Sequence, residues 1–135
     1  MNVKYYSMKE VCSMTGLSYE TLKLYCKEGL IPDVKRDKNN YRIFDDNNIG
    51  WIKNLLCLKK CGMSFSEIKT YMQLCKEGKE TIPERKKLLL KKLSDLHDEE
   101  KKLKDNINYI NMKMKFYDDV IKNKVEYFSY LNNDN

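Results

Sequence analysis

After Pro83 the chain contains neither proline nor glycine. Over that stretch Leu89, Leu93, Leu96, Leu103, Ile107, Ile110, Met114, Tyr117 and Ile121 recur at alternating steps of four and three, with Glu100 as the one polar residue in the seam between Leu96 and Leu103. Proline is accepted only in the first turn of a helix, so Thr81 and Pro83 mark a start, and a single helix is predicted over 79–123. The pattern is a heptad sustained over more than four repeats, and at about 1.5 Å per residue it makes a rod roughly 60 Å long. A helix with one apolar seam leaves that seam in water unless something covers it, so the rod needs a partner. The expected dimer-interface residues are Leu89, Leu93, Leu96, Leu103, Ile107, Ile110 and Met114.

The preceding residues, 1–78, read as four short helices and a hairpin. Ser7 stands three residues before Glu10, a capping box that starts a helix with Met8, Val11 and Cys12 on its apolar face. Thr15 and Gly16 end it. Ser18 caps a second helix that buries Leu22, Tyr25 and Cys26 and stops at Gly29 and Pro32. Val34 and the run Tyr41, Ile43, Phe44 are extended-type residues on either side of Lys38-Asn39-Asn40, where Asn tolerates the positive φ of a tight hairpin. Asp45 caps a third helix reaching Gly62, with Ile49, Trp51, Ile52, Leu55, Leu56 and Leu58 apolar. Ser64 and Glu67 form a second capping box, opening a fourth helix with Ile68, Met72 and Cys75 on one stripe before Gly78. Leu30, Ile31, Trp51 and Phe65 are the expected core fillers. The class is mainly all-α, a winged helix-turn-helix head followed by a long helix, with a short tail over 124–135.

Two short helices joined by a Gly-containing turn form a helix-turn-helix, whose second helix enters the major groove with its first residues against base edges. Those residues are Ser18, Tyr19, Glu20, Thr21 and Lys23. The hairpin holds Lys35, Arg36, Lys38 and Arg42 beside Tyr41, a basic and aromatic tip suited to phosphate contacts. Net charge is +6, yet residues 1–50 hold eight Lys and Arg against seven Asp and Glu. Double-stranded DNA is therefore indicated by clustering rather than by total charge. Five cysteines, an odd number, with no signal peptide and no long apolar run point to a reducing cytoplasm and exclude a membrane segment. One histidine and no Gly-rich phosphate loop leave no acid–base or nucleophile–base constellation, so an enzyme is not expected. No cofactor is called for. A coiled-coil adaptor whose head binds protein is the alternative from another class.

The order of these elements, together with Thr21-Leu22-Lys23-Leu24-Tyr25, Glu28-Gly29-Leu30, Asn40-Tyr41-Arg42-Ile43-Phe44 and Cys61-Gly62-Met63-Ser64-Phe65-Ser66-Glu67-Ile68-Lys69, resembles the MerR family of transcriptional regulators up to about Ile121. Glu20, Lys23, Leu24 beside Tyr25, and Asn40 stand where that family usually has Arg, Arg, a Tyr pair and a Gly-Tyr-Arg tip. The resemblance implies a homodimer joined by an antiparallel coiled coil. It also implies distortion of an over-long promoter spacer until RNA polymerase engages both promoter elements, an indirect partnership. With it, the candidate DNA contacts become Ser18, Tyr19, Glu20, Thr21, Lys23, Tyr25, Lys38, Tyr41 and Arg42. Only about fifteen residues follow the seam, too few for the effector domain that such regulators often carry.

Any signal must then be read by head or rod, and the cysteines are the candidates. Cys12, Cys26 and Cys75 lie on apolar stripes and read as small buried hydrophobes. Cys57 falls outside the apolar arc of its helix, with Lys53 four residues before it and Lys60 three after, an arrangement expected to favour reaction as the thiolate. Its setting in Trp51-Ile52-Lys53-Asn54-Leu55-Leu56-Cys57-Leu58, like the segment Glu80 to Lys86, is similar to the aldehyde- and nitrosative-stress-responsive branch of the family, in which this position is the sensor thiol. Metal sensing by Cys57 and Cys61, one turn apart, is the competing reading. The metal-sensing members place their cysteines at the start of the rod and in a loop after it, where this chain has none. His97 is expected to sit solvated beside the seam, and no metal site is assigned.

Overall fold

A computed structural model describes residues 2–128. The head begins with strand β1 (Tyr6–Ser7) and helix α1 (Met8–Thr15), followed by α2 (Tyr19–Lys27), β2 (Lys35–Arg36), β3 (Arg42–Phe44), α3 (Asp46–Lys60) and α4 (Phe65–Glu77). A short 3-10 turn at Lys79–Thr81 leads into α5 (Ile82–Ile121), 40 residues long.

The helix starts follow from side chains competing for unpaired backbone N–H groups. Ser7 Oγ accepts from Glu10 N at 3.1 Å while Glu10 Oε1 accepts from Ser7 N. Ser64 and Glu67 repeat the box at α4. At α3 the box is completed by Asn48, whose Oδ1 accepts from Asp45 N at 2.8 Å and whose N donates to Asp45 Oδ1. Asn48 is only 2 % exposed, and its Nδ2 donates to Pro32 O at 2.7 Å. Nothing in its local sequence marks this residue as buried, yet it stitches the loop before the wing to α3. Gly16 closes α1 at φ 78, a left-handed conformation open to glycine without a Cβ penalty.

The sheet has the order β1-β3-β2, antiparallel throughout, with Tyr6 opposite Phe44 and Arg36 opposite Arg42. The expected two-stranded wing is thus anchored by a third strand, β1, which the sequence did not announce. Phe44 is fully buried, in one cluster with Val11, Leu22, Leu30, Ile31, Ile49, Ile52, Leu55, Leu58, Met63, Ile68 and Met72. Two expected core fillers are corrected. Trp51 is half-buried against the cluster, and Phe65 remains 40 % exposed while stacking on Tyr25 with ring centroids 6.3 Å apart.

The chain divides into two compact units, residues 1–92 and 93–135, so the head runs beyond residue 78 and includes the first turns of α5. Arg85 explains this: its guanidinium donates to Thr81 Oγ1 and to Gly78 O, while Thr81 Oγ1 donates to Leu74 O, so the start of α5 is tied to the end of α4. Lys92 Nζ adds a bond to Gly62 O at 3.3 Å and lies 3.8 Å from Glu67 Oε1.

The second unit is the remainder of α5 and a turn after Ile121, where Asn123 takes φ 59. No residue of α5 is buried. Leu103, Ile107, Ile110 and Met114 are each more than half exposed, Leu93 slightly less, and Leu96 is partly covered. His97 is exposed, 3.5 Å from Glu100. The expected tail lies mostly outside the described residues. No described helix is long and apolar enough to cross a membrane.

Candidate nucleic-acid interface

Helix α2 presents two faces. Leu22 and Tyr25 are buried and Cys26 half-buried, whereas Tyr19, Glu20, Lys23, Leu24 and Lys27 are exposed. The expected base-facing set is divided by this geometry. Ser18 Oγ accepts from Thr21 N at 3.2 Å and donates to Thr21 Oγ1 at 2.8 Å, so both hydroxyls hold the helix start. Tyr19, Glu20 and Lys23 project freely beside them. Tyr25 departs from its expected place at the DNA surface: it is 5 % exposed and its ring packs into the core against Phe65. The helical spacing from Leu22 had already put it on the buried side.

The wing tip is built around Asp37, whose Oδ1 accepts from Asn39 N at 2.9 Å and Tyr41 N at 3.0 Å. Asn40 occupies the left-handed region at φ 66, and its carbonyl accepts from Arg36 Nη1 at 2.8 Å. This small network fixes the tip and leaves Lys38 exposed and Tyr41 70 % exposed, with Arg42 half-covered at the strand base. Burial pushes the Cys26 thiol up, and the nearby charges of Arg42 and Arg36 partly offset that rise. Arg42 and Arg36 therefore lie within electrostatic reach of Cys26 on α2. At the far end of α2, Glu28 pairs with Lys69 of α4 at 2.8 Å, which holds its carboxyl below the usual range, and Lys76 donates to Gly29 O. These contacts tie the C-terminal end of α2 to α4.

Among the five thiols, all free, Cys57 and Cys61 are exposed, while Cys12, Cys26 and Cys75 are half-buried. Burial raises the Cys12 thiol, with Glu20 adding to the rise. Among the described residues, no three His, Cys, Asp or Glu side chains come together as a metal site.

Residues 6–75 match the family model for MerR HTH family regulatory proteins. An uncharacterized HTH-type transcriptional regulator of Haemophilus influenzae is 34 % identical over 112 residues, covering 83 % of each chain. The HTH-type transcriptional regulator AdhR of Bacillus subtilis is 35 % identical over 83 residues, 62 % of this chain and 59 % of AdhR. The crystal structure of HiNmlR, a MerR family regulator lacking the sensor domain, bound to promoter DNA, superposes with a TM-score of 0.72 at 32 % identity, over 88 % of this chain and 94 % of that one. A MerR family transcriptional regulator from Bacillus thuringiensis gives a TM-score of 0.67 at 29 % identity, over 84 % of this chain and all of that one. The chain belongs to the MerR HTH family of regulatory proteins, and its fold is that of a DNA-binding transcriptional regulator rather than an enzyme.

Proposed function

We propose that this protein binds double-stranded promoter DNA as a homodimer and regulates transcription by deforming it, with Cys57 as a thiol that receives a reactive electrophile. The observation that carries the DNA reading is the likeness, over nearly the whole chain, to a regulator crystallised on promoter DNA. The exposed α2 stripe beside a basic, aromatic wing supplies the chemistry. Tyr19, Glu20 and Lys23 face base edges and adjoining phosphates, and Lys38, Tyr41 and Arg42 hold the flanking backbone. Two heads on one duplex require a covered rod, and the exposed seam of α5 offers itself to a second copy. Deforming the duplex costs several kcal/mol, which the dimer must supply from contacts it makes only with bent DNA. RNA polymerase then responds to promoter shape without touching this chain.

Binding to promoter fragments of graded sequence, followed by fluorescence anisotropy over a salt series, tests this reading. Lys23→Ala and Arg42→Ala should weaken binding to all sequences alike and make the salt slope shallower by about one. Glu20→Gln should change preference at one base pair by roughly 1–3 kcal/mol, because a carboxylate accepts from a cytosine amino group. A wild-type affinity indifferent to salt would favour a protein-binding adaptor instead.

Exposure supports the role of Cys57, since an electrophile must reach the sulfur. Limiting aldehyde or quinone should label Cys57 ahead of Cys12, Cys26 and Cys75. Cys57→Ser should keep operator binding and lose the transcriptional response. A Cys57→Ser protein that still responds would remove the thiol from the mechanism.

A further inference from the structure

Cys57 and Cys61 are exposed, and they share one face of α3. Cys61, the cap residue that follows α3, donates its N–H to Cys57 O at 3.1 Å and keeps φ −74, so helical register persists through it. In that register the Cβ atoms of residues i and i+4 stand about 5–6 Å apart. A disulfide requires about 3.5–4.5 Å between them, so a direct bond would break the last turn of α3. A bridge through one thiophilic atom has no such requirement. With a sulfur–centre distance of about 2.3 Å and a near-tetrahedral angle, as thiolates adopt on zinc, the two sulfurs sit roughly 3.8 Å apart. Two Cβ–S bonds leaning toward each other cover the remainder with the helix intact. The site offers two sulfurs, and among the described residues no third His, Cys, Asp or Glu completes a metal-binding group around them. It therefore suits a centre that takes two ligands from the protein and brings its own third substituent.

We propose that Cys57 and Cys61 form a dithiol site for trivalent organoarsenicals. With an arsine oxide the exchange balances without any oxidant: two As–S bonds form, both S–H bonds break, and the arsenic-bound oxygen leaves with the two protons as water. The bridge staples the last turn of α3 next to Gly62, whose carbonyl accepts from Lys92 in the first turns of α5. A ligand at the dithiol thus acts on the turn that holds the base of the long helix. The site shares Cys57 with the electrophile reading above and differs in stoichiometry, since alkylation needs one sulfur and the arsenical two.

Phenylarsine oxide on the full-length protein, followed by intact mass spectrometry, tests the site. The wild type should retain one phenylarsenic group per chain through a large excess of glutathione and release it to 2,3-dimercaptopropanol. Cys57→Ser and Cys61→Ser should each lose the glutathione-resistant adduct, and Cys12→Ser, Cys26→Ser and Cys75→Ser should keep it. Retention in Cys61→Ser, loss in any half-buried variant, or an adduct linking two chains would overturn the proposal. Aldehyde labelling in parallel separates the two readings: Cys57 labelled with no retained arsenical defeats the dithiol alone, and a retained arsenical with Cys57 unlabelled defeats the electrophile role alone.

Discussion

Phe44→Ala is expected to destabilise the head by about 3–5 kcal/mol, a large part of the roughly 5–15 kcal/mol that holds a domain of this size. Phe44 is wholly buried, lies opposite Tyr6 in the sheet, and sits where β3 meets both α1 and α3. Truncation removes the ring and leaves a cavity that α1 and α3 can close only by moving. Because the same strand carries Arg42, DNA affinity should fall beyond what loss of folded protein explains. The contrasting variant is Tyr41→Ala. Its side chain is 70 % exposed, so stability should change by no more than about 0.5 kcal/mol while affinity drops. Urea unfolding of both variants, paired with anisotropy on the folded fraction, decides the matter; a cost below about 1 kcal/mol for Phe44→Ala would mean that the wing is not seated through this residue.

What could be read from the sequence was what is local. The caps at Ser7, Ser18, Asp45 and Ser64 are contacts between residues three apart, and Asn40 adopts its positive φ for reasons contained in its own side chain. What escaped depends on residues far away in the chain. Strand β1 is two residues long and exists only because β3 offers it a free edge, so no alternation announces it. Asn48 looks like one more polar residue in a helix start, and its burial follows from Pro32 O sixteen residues earlier. The boundary of the head was hidden because the heptad runs unbroken through Lys92, while the contact of Lys92 with Gly62 O is tertiary. At the candidate interface, periodicity already placed Tyr25 with Leu22 on the buried face, and it was the family motif that drew it toward DNA. The bond between the hydroxyls of Ser18 and Thr21 follows from the same cap that starts α2.

Leu103→Glu should dissociate the dimer proposed here and carry operator binding down with it. Leu103 is 63 % exposed on α5 and follows Glu100, the one interruption of the seam. If the seam is the interface, removing a buried leucine costs about 2–5 kcal/mol, and the unpaired carboxylate adds its own desolvation. A loss of about 4 kcal/mol weakens dimerisation roughly a thousandfold. Operator affinity then falls because one head cannot use both half-sites, even though each head keeps its own core. Two further variants isolate the seam from helix charge in general. Met112→Glu, at a site 70 % exposed and on the opposite side of the helix from Ile110 and Met114, should leave assembly unchanged. Glu100→Leu should tighten it by making the seam continuous. Sedimentation velocity over a concentration series, with anisotropy on the same samples, reads all three. A Leu103→Glu protein that still sediments as the wild type does would place the partner surface elsewhere on the chain.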